Sequence, residues 1–295
     1  MTRWGSEVEL IDHQGVEWDR VRRTRYWMDQ RFVYRYPGRV RELRQRLIVV
    51  PPDVYGDQRL AGFHLHVSEP SATTRSTLDA FGNRVLQVHV PYVEEEVTFE
   101  TRLIVERRLE GRQWPRVTTA EALPFRAETA LTGGEPEIEA VARQLVARHS
   151  EPEEFAEAVN AWVYQSMRYG HGWTDVRTTA AEALQIGQGL CQDYAHIMLA
   201  ICRAAGLPAR YVSGHMLGEG GSHAWVEVLL WDAYGSYVAV AFDPTHDRRS
   251  TAAYITVAVG RDFRDVSPTT GSFIAPHTGH LTASKRAGLT DLEYR

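Results

Sequence analysis

The sequence predicts an α+β chain in two parts: a β-sandwich-like front, then helices packed on an antiparallel sheet. Three observations carry this expectation. Residues 25–131 hold short runs of apolar/polar alternation broken by Pro and Gly, residues from Thr132 switch to helical spacing, and residues after Pro208 return to a period of two. The length of 295 residues is about twice the ~150 of a typical domain, which suits two parts.

In the front part, RFVYRYP, RQRLIVVPP, GFHLHVSEP, RVLQVHVPYV and EVTFETRLIVERR read as five strands of a sandwich or small barrel. The DAFGN segment, Asp79 to Asn83, carries tight-turn residues, with Gly82 or Asn83 suited to positive φ. Arginines at 20, 22, 23 and 25 precede the first strand and read as a solvated edge rather than an anion site. Residues 1–24 stand apart as an extension, 25–131 as the β-rich domain and 132–295 as the second domain, with Gly133-Gly134 as the break.

The second part opens with Ile138, Val141, Ala142, Leu145 and Val146 at helical spacing. Ser150-x-x-Glu153 and Thr179-x-x-Glu182 read as capping boxes of the next two helices. A loop, Ile186-Gly187-Gln188-Gly189-Leu190, then leads into a helix that runs from Cys191 to the Gly206-Leu207-Pro208 stop. ARYVSGHM, HAWVEVLLW, YVAVAFD and YITVAV follow as strands. The last ~30 residues, rich in Ser, Thr, Pro and Gly, show no clear period.

Composition narrows the function classes. A 43% hydrophobic and 24% charged chain is globular rather than disordered, and a net charge of −5 names no nucleic-acid or acidic partner. Two cysteines cannot form a disulfide framework. Eleven positions of one helix separate Cys191 from Cys202 by roughly 16 Å, so both are expected as free thiols. Free thiols, no basic-then-apolar leader and no apolar run of about 18 residues make the cytoplasm the expectation and a membrane partner unexpected.

Three residues could carry chemistry. Cys191 sits where backbone N–H groups and the helix dipole favour a thiolate, whereas Cys202, between Ile201 and Ala204, reads as a small core residue. His223 follows Gly220-Gly221-Ser222 at the mouth of a strand, where imidazole can take a thiol proton and return it to a leaving amine. Asp243 closes the next strand and can hold the other imidazole nitrogen. Singly, each has an ordinary reading: structural thiol, strand-end polar residue, turn aspartate. Antiparallel neighbours bring His223 and Asp243 to one sheet edge, and a helix packed there can present Cys191.

The segments GQGLCQDYAHIMLAICRAAGLPARYVSG, SHAWVEVLL and VAFDPTHD resemble the core of the transglutaminase-like cysteine enzymes, whose fold is related to papain. The front region with DAFGN is similar to the N-terminal domain of the bacterial members, and YITVAVGRDFRDVSPTTG to their C-terminal stretch. The resemblance implies Cys191 as nucleophile, His223 as general base and acid, and Asp243 as the residue orienting the imidazole. It implies attack on a peptide or amide carbonyl, an acyl-thioester, and transfer of the acyl group to water or to an amine. The backbone N–H of Cys191 is an expected oxyanion donor, while Gln188, Gln185 and Tyr169 are considered for the second without a choice among them.

Among the readings, a hydrolase of peptide or amide substrates leads. A protein-glutamine transglutaminase or a biosynthetic amide-forming acyltransferase is the alternative, and a non-catalytic binding module a further one. Trp225 and Trp173 are candidates for an aromatic channel. No CxxC or HxxxH pairing includes His196 or His215, and no DxDxDG loop occurs, so no metal and no cofactor are expected. The oligomeric state is left open.

Overall fold

The computed structural model describes residues 8–109 and 114–295. The front part is a sandwich of two antiparallel sheets. Its strands are β1 (Val21–Arg35), β2 (Val40–Leu47), β3 (Val54–Tyr55), β4 (Gln58–Val67), β5 (Thr73–Leu78), β6 (Arg84–Val93) and β7 (Glu96–Arg108). β8 (Arg116–Val117) follows and pairs with the rear sheet instead. The alternation in β2 and β6 sends Leu43, Leu47, Val88 and Val90 inward, where they meet Phe32 and Phe99 of the facing sheet in one buried cluster.

Four of the runs read as strands lie where expected, and the fifth, RQRLIVVPP, is β2 only as far as Leu47. β5, TTRSTL, was not anticipated: it is an almost wholly exposed edge strand held by pairing with β6, so it has no buried face to signal it.

The rear part contains α1 (Thr119–Ala122), α2 (Pro136–Val146), α3 (Pro152–Ser166), β9 (Arg168–Tyr169), α4 (Ala180–Ile186), β10 (Gln188–Gly189) and α5 (Cys191–Ala204). Then come β11 (Ala209–Met216), β12 (His223–Trp231), β13 (Tyr237–Asp243), β14 (Arg248–Arg249), β15 (Tyr254–Gly260) and α6 (Phe263–Val266). The main path of this rear sheet runs β14-β13-β12-β11-β15. Helix α5 is buried from Asp193 through Arg203, which is why its sequence is apolar on more than one face. No helix among the described residues is long and apolar enough to cross a membrane.

The Thr179/Glu182 capping box forms as expected, with both backbone N–H groups satisfied reciprocally. The Ser150/Glu153 box does not. Pro152 occupies the first helical position and Glu151 the cap, so the helix starts one residue later than that box requires.

The chain's end belongs to its beginning. β16 (Thr269–Ile274) pairs with β2, and β17 (His280–Tyr294) pairs with β1 along nearly its whole length. Residues 269–294, grouped with the second domain in the sequence, therefore complete both front sheets. Residues 21–24 of the expected extension already lie in β1, and Ile11 bridges Leu289; residues 1–7 lie outside the described residues. The arginines at the start of β1 face acids across the sheet, Arg23 with Glu293 at 2.7 Å and Arg25 with Glu106 at 3.5 Å.

Two carboxamides of the sandwich close the free edge of the rear sheet. Asn83 donates to the Val259 carbonyl at 2.7 Å and accepts from its N–H at 2.8 Å; Gln58 does the same for Thr256 at 2.8 and 3.0 Å. Each side chain imitates one residue of a neighbouring strand. Asp79 fixes the Asn83 amide, so DAFGN is a turn, with Gly82 at φ 80°, whose last residue is a buried clasp.

Candidate active site

Cys191 is the first residue of α5, and the loop before it is built around two glycines. Gly187 ends α4 in the left-handed conformation, at φ 68°. Gly189 has no room for a side chain, since a Cβ there would lie 2.8 Å from that of Asp193. Asp193 turns back to accept the Leu190 N–H at 2.7 Å and the Thr174 hydroxyl at 2.7 Å. The carboxylate in the thiol's own turn is thus spent on the cap. Cys191 is partly exposed at this helix start, whereas Cys202 is wholly buried and burial pushes its thiol up to about 12.

His223 begins β12 opposite Gly214 of β11. A Cβ at Gly214 would lie 2.5 Å from the Trp225 ring, so glycine lets that indole pack behind the site. The His223 ring stacks on Trp225 at 6.0 Å. Its Nε2 donates to Asp243 Oδ2 at 2.8 Å, which leaves Nδ1 as the nitrogen available to the nearby Cys191 thiol. Burial opposes protonation of His223. The bonds and charges of Asp243 and Cys191 outweigh it and raise the imidazole to about 9.

Asp243 is fully buried at the end of β13. Burial alone would favour its neutral form, but donors crowd it: His223, His246 Nδ1 at 2.8 Å and Tyr254 Oη at 2.6 Å all bond Oδ2, and the Thr245 N–H bonds Oδ1 at 3.0 Å. The carboxyl is held well below the usual carboxylate range. Tyr254 is pushed the other way, by burial and by the adjacent negative charge.

The structure thus brings together all three residues singled out in the sequence. His246 and Tyr254 were missed; His246 stands three residues after Asp243 in FDPTHD, a legible signal, whereas Tyr254 arrives from a separate strand. His223, Asp243 and His246 place three ligand-type atoms within 4.8 Å of one another, but those atoms are already engaged through hydrogen bonds. His196 is buried against Tyr211 and accepts the Phe263 N–H at 3.2 Å, a packing role. Of the three residues considered as oxyanion donors, Tyr169 and Gln188 lie on the short β9–β10 pairing that leads to Cys191, while Gln185 lines a separate surface groove. Trp225 is buried behind His223, and Trp173 is 56% exposed.

A thiol at a helix start, beside an imidazole that a buried carboxylate makes basic, has the chemistry of an activated nucleophile. The chain matches the transglutaminase-like superfamily over residues 139–244 and the bacterial transglutaminase-like N-terminal region over residues 26–106. It is 28% identical over 266 residues to an uncharacterised protein of Mycobacterium leprae, covering 78% of this chain and 93% of that one. It is 29% identical over 275 residues to uncharacterised proteins of Mycobacterium tuberculosis, covering 84% and 87%. The fold is similar to that of a candidate cysteine protease from Cytophaga hutchinsonii, with a TM-score of 0.75 and 17% identity over 92% of this chain and 93% of that one. With an N-terminal region and a core both matched, in that order along the chain, the chain belongs to the transglutaminase-like superfamily in its bacterial form.

Proposed function

We propose that the protein is a cysteine-dependent acyl-transfer enzyme acting as a peptidase or amidase. The observation that carries this reading is the Cys191–His223–Asp243 arrangement. Asp243 fixes His223 with Nε2–H bound, so Nδ1 takes the thiol proton. Cys191 Sγ then attacks the amide carbonyl, with the Cys191 backbone N–H as an oxyanion donor at the free helix terminus. The C–N bond breaks as His223 returns its proton to the departing nitrogen, leaving a thioester. Water, deprotonated by His223, attacks the thioester and releases the acid and the free thiol.

Water as acceptor is favoured by openness. Tyr169 and Trp173 are each 56% exposed, so the entrance is not a dry aromatic tunnel. Two free thiols suit a reducing compartment, and we place the enzyme in the cytoplasm on that ground.

Intact-mass analysis of peptides after exposure to the protein, with and without an added alkylamine, tests the reading. Cleavage fragments alone are expected. Alkylamine adducts would overturn the hydrolase in favour of an amine acceptor, and neither product would leave a binding module.

A further inference from the structure

A cavity of about 130 Å³ lies between the sandwich and the rear sheet, bordering the loop that runs into His223. We propose that it receives the departing end of the substrate, a single apolar residue with a free terminal carboxylate, and that Lys285 binds that carboxylate. This rests on the hydrolase reading and deepens it: cleavage removes one C-terminal apolar amino acid.

Position comes first. His223 protonates the departing nitrogen, so the leaving group lies on the imidazole's side of the scissile bond. Gly220, Gly221 and Ser222 form one exposed lip and run directly into His223. Ser213 and His215 flank Gly214, the residue paired with His223. The opposite wall comes from the sandwich, from Gln30 and Phe32 of β1 and Ala283 to Lys285 of β17.

Size and lining come next. Cavities of roughly 150 Å³ with apolar walls hold a benzene, so this one has room for one branched aliphatic or small ring and not for an extended chain. Ile48, Val49 and Val257 supply a buried apolar floor. Gln30 is 5% exposed, bonds His215 through Nε2 at 2.7 Å and leaves Oε1 without a partner, a polar capacity that a purely apolar cavity has no use for.

Charge identifies the ligand. Lys285 is the chain's single lysine among 33 basic residues. Its ammonium donates to the Gly221 carbonyl; it also lies 3.4 Å from His215 Nδ1, but a neutral ring that accepts from Gln30 at Nε2 carries its proton on Nδ1 and cannot accept there, which leaves two of the three ammonium N–H groups for a ligand. No carboxylate among the described residues forms an ion pair with it; Glu219 acts on it without reaching it. Burial lowers Lys285 to about 8, so it stays largely protonated at neutral pH. Burial, then Lys285, lower His215 to about 3, so that ring is neutral. The pocket therefore offers one positive charge over apolar walls beside the proton donor, the complement of an apolar amino acid's carboxylate.

Two matched peptides ending in leucine, one as free acid and one as amide, test this. The free acid is expected to be cleaved with a kcat/KM about 10- to 100-fold higher, the scale of one charge-assisted hydrogen bond, and Lys285→Met is expected to bring the ratio near one. Ala283→Trp, at the exposed mouth, is expected to depress cleavage of both peptides. Equal cleavage of the two by the wild type, or an unchanged ratio in Lys285→Met, overturns the pocket and leaves the hydrolase standing. A binding arm separates the two readings: in Cys191→Ala protein, free leucine is expected to bind more tightly than leucinamide, and Lys285→Met to abolish the difference. Such binding without turnover of either peptide overturns the hydrolase and keeps the pocket; the absence of both overturns both.

Discussion

The sandwich and the rear sheet spend their polar residues in opposite ways. In the sandwich, most charges pair across strands at the surface, as Arg35 does with Glu96 at 2.7 Å, with 64% and 39% of the side chains exposed, the buried Arg107–Asp57 pair being the exception. In the rear sheet, polar groups are buried in clusters, Arg210 with Glu227 in one and, at the sheet's end, Asp243, which alone accepts from three side chains. Water screens the first kind of pair and leaves it nearly neutral in free energy. It cannot reach the second, where a donor removed leaves a buried charge short of its partner. The difference teaches where substitutions should matter, and in which currency.

The largest effect is expected on activity at the buried end. Asp243→Asn keeps the shape but disturbs which imidazole nitrogen carries the proton, and should lower kcat by about 10⁴-fold, the scale of the same change in the serine proteases. Its far-ultraviolet circular dichroism should stay close to wild type. Because His223 is raised to about 9, kcat/KM should fall as pH rises through that value, where the imidazolium that protonates the leaving nitrogen is lost. A fall that begins near the ordinary histidine value would contradict the coupling to Asp243.

The seam between the two regions comes next, and there the expected loss is of stability. Asn83→Ala removes both bonds to Val259 and leaves two backbone groups at a buried edge unpaired. Denaturant unfolding should show about 3 kcal/mol less stability, on the basis of roughly 1–3 kcal/mol for each buried group left without a partner. A loss below about 0.5 kcal/mol would mean that water replaces the amide and that the seam is looser than drawn.

His246→Ala is a finer probe. Asp243 keeps His223, Tyr254 and the Thr245 N–H, so kcat should drop about tenfold, the worth of one hydrogen bond to a charged group. The alkaline limb should shift with it if His246 helps to set the charge that His223 feels, and should stay put if His246 merely fills space. The smallest effect belongs to the sandwich surface: Arg35→Ala should change stability by less than about 0.5 kcal/mol.

Much of the plan was legible because it rests on local patterns. Alternation marked β2, β6 and β7, and a glycine-rich loop before a capped helix marked Cys191. His223 and Asp243 could be paired because antiparallel neighbours put a strand start beside the next strand's end. The missing parts depend on long-range pairing. β17 has hardly any buried positions, so its sequence gives no alternation, and what joins it to β1 is backbone bonding together with scattered contacts, Leu289 against Tyr26 and Met28 and Glu293 with Arg23, that no local pattern announces. Asn83 looked like a turn residue because the strand it clasps lies 176 positions away. The Lys285 pocket exists only once the chain's end has returned to face the His223 loop.

The central claim is that His223, held by Asp243, activates Cys191, and thiol alkylation tests it most directly, with Cys202 as an internal control in the same helix. Iodoacetamide at pH ~6.5, followed by peptide mass analysis, should label Cys191 well ahead of Cys202, and His223→Ala should slow Cys191 by an order of magnitude or more. Labelling of Cys202 first, or a Cys191 rate indifferent to His223, would contradict the account.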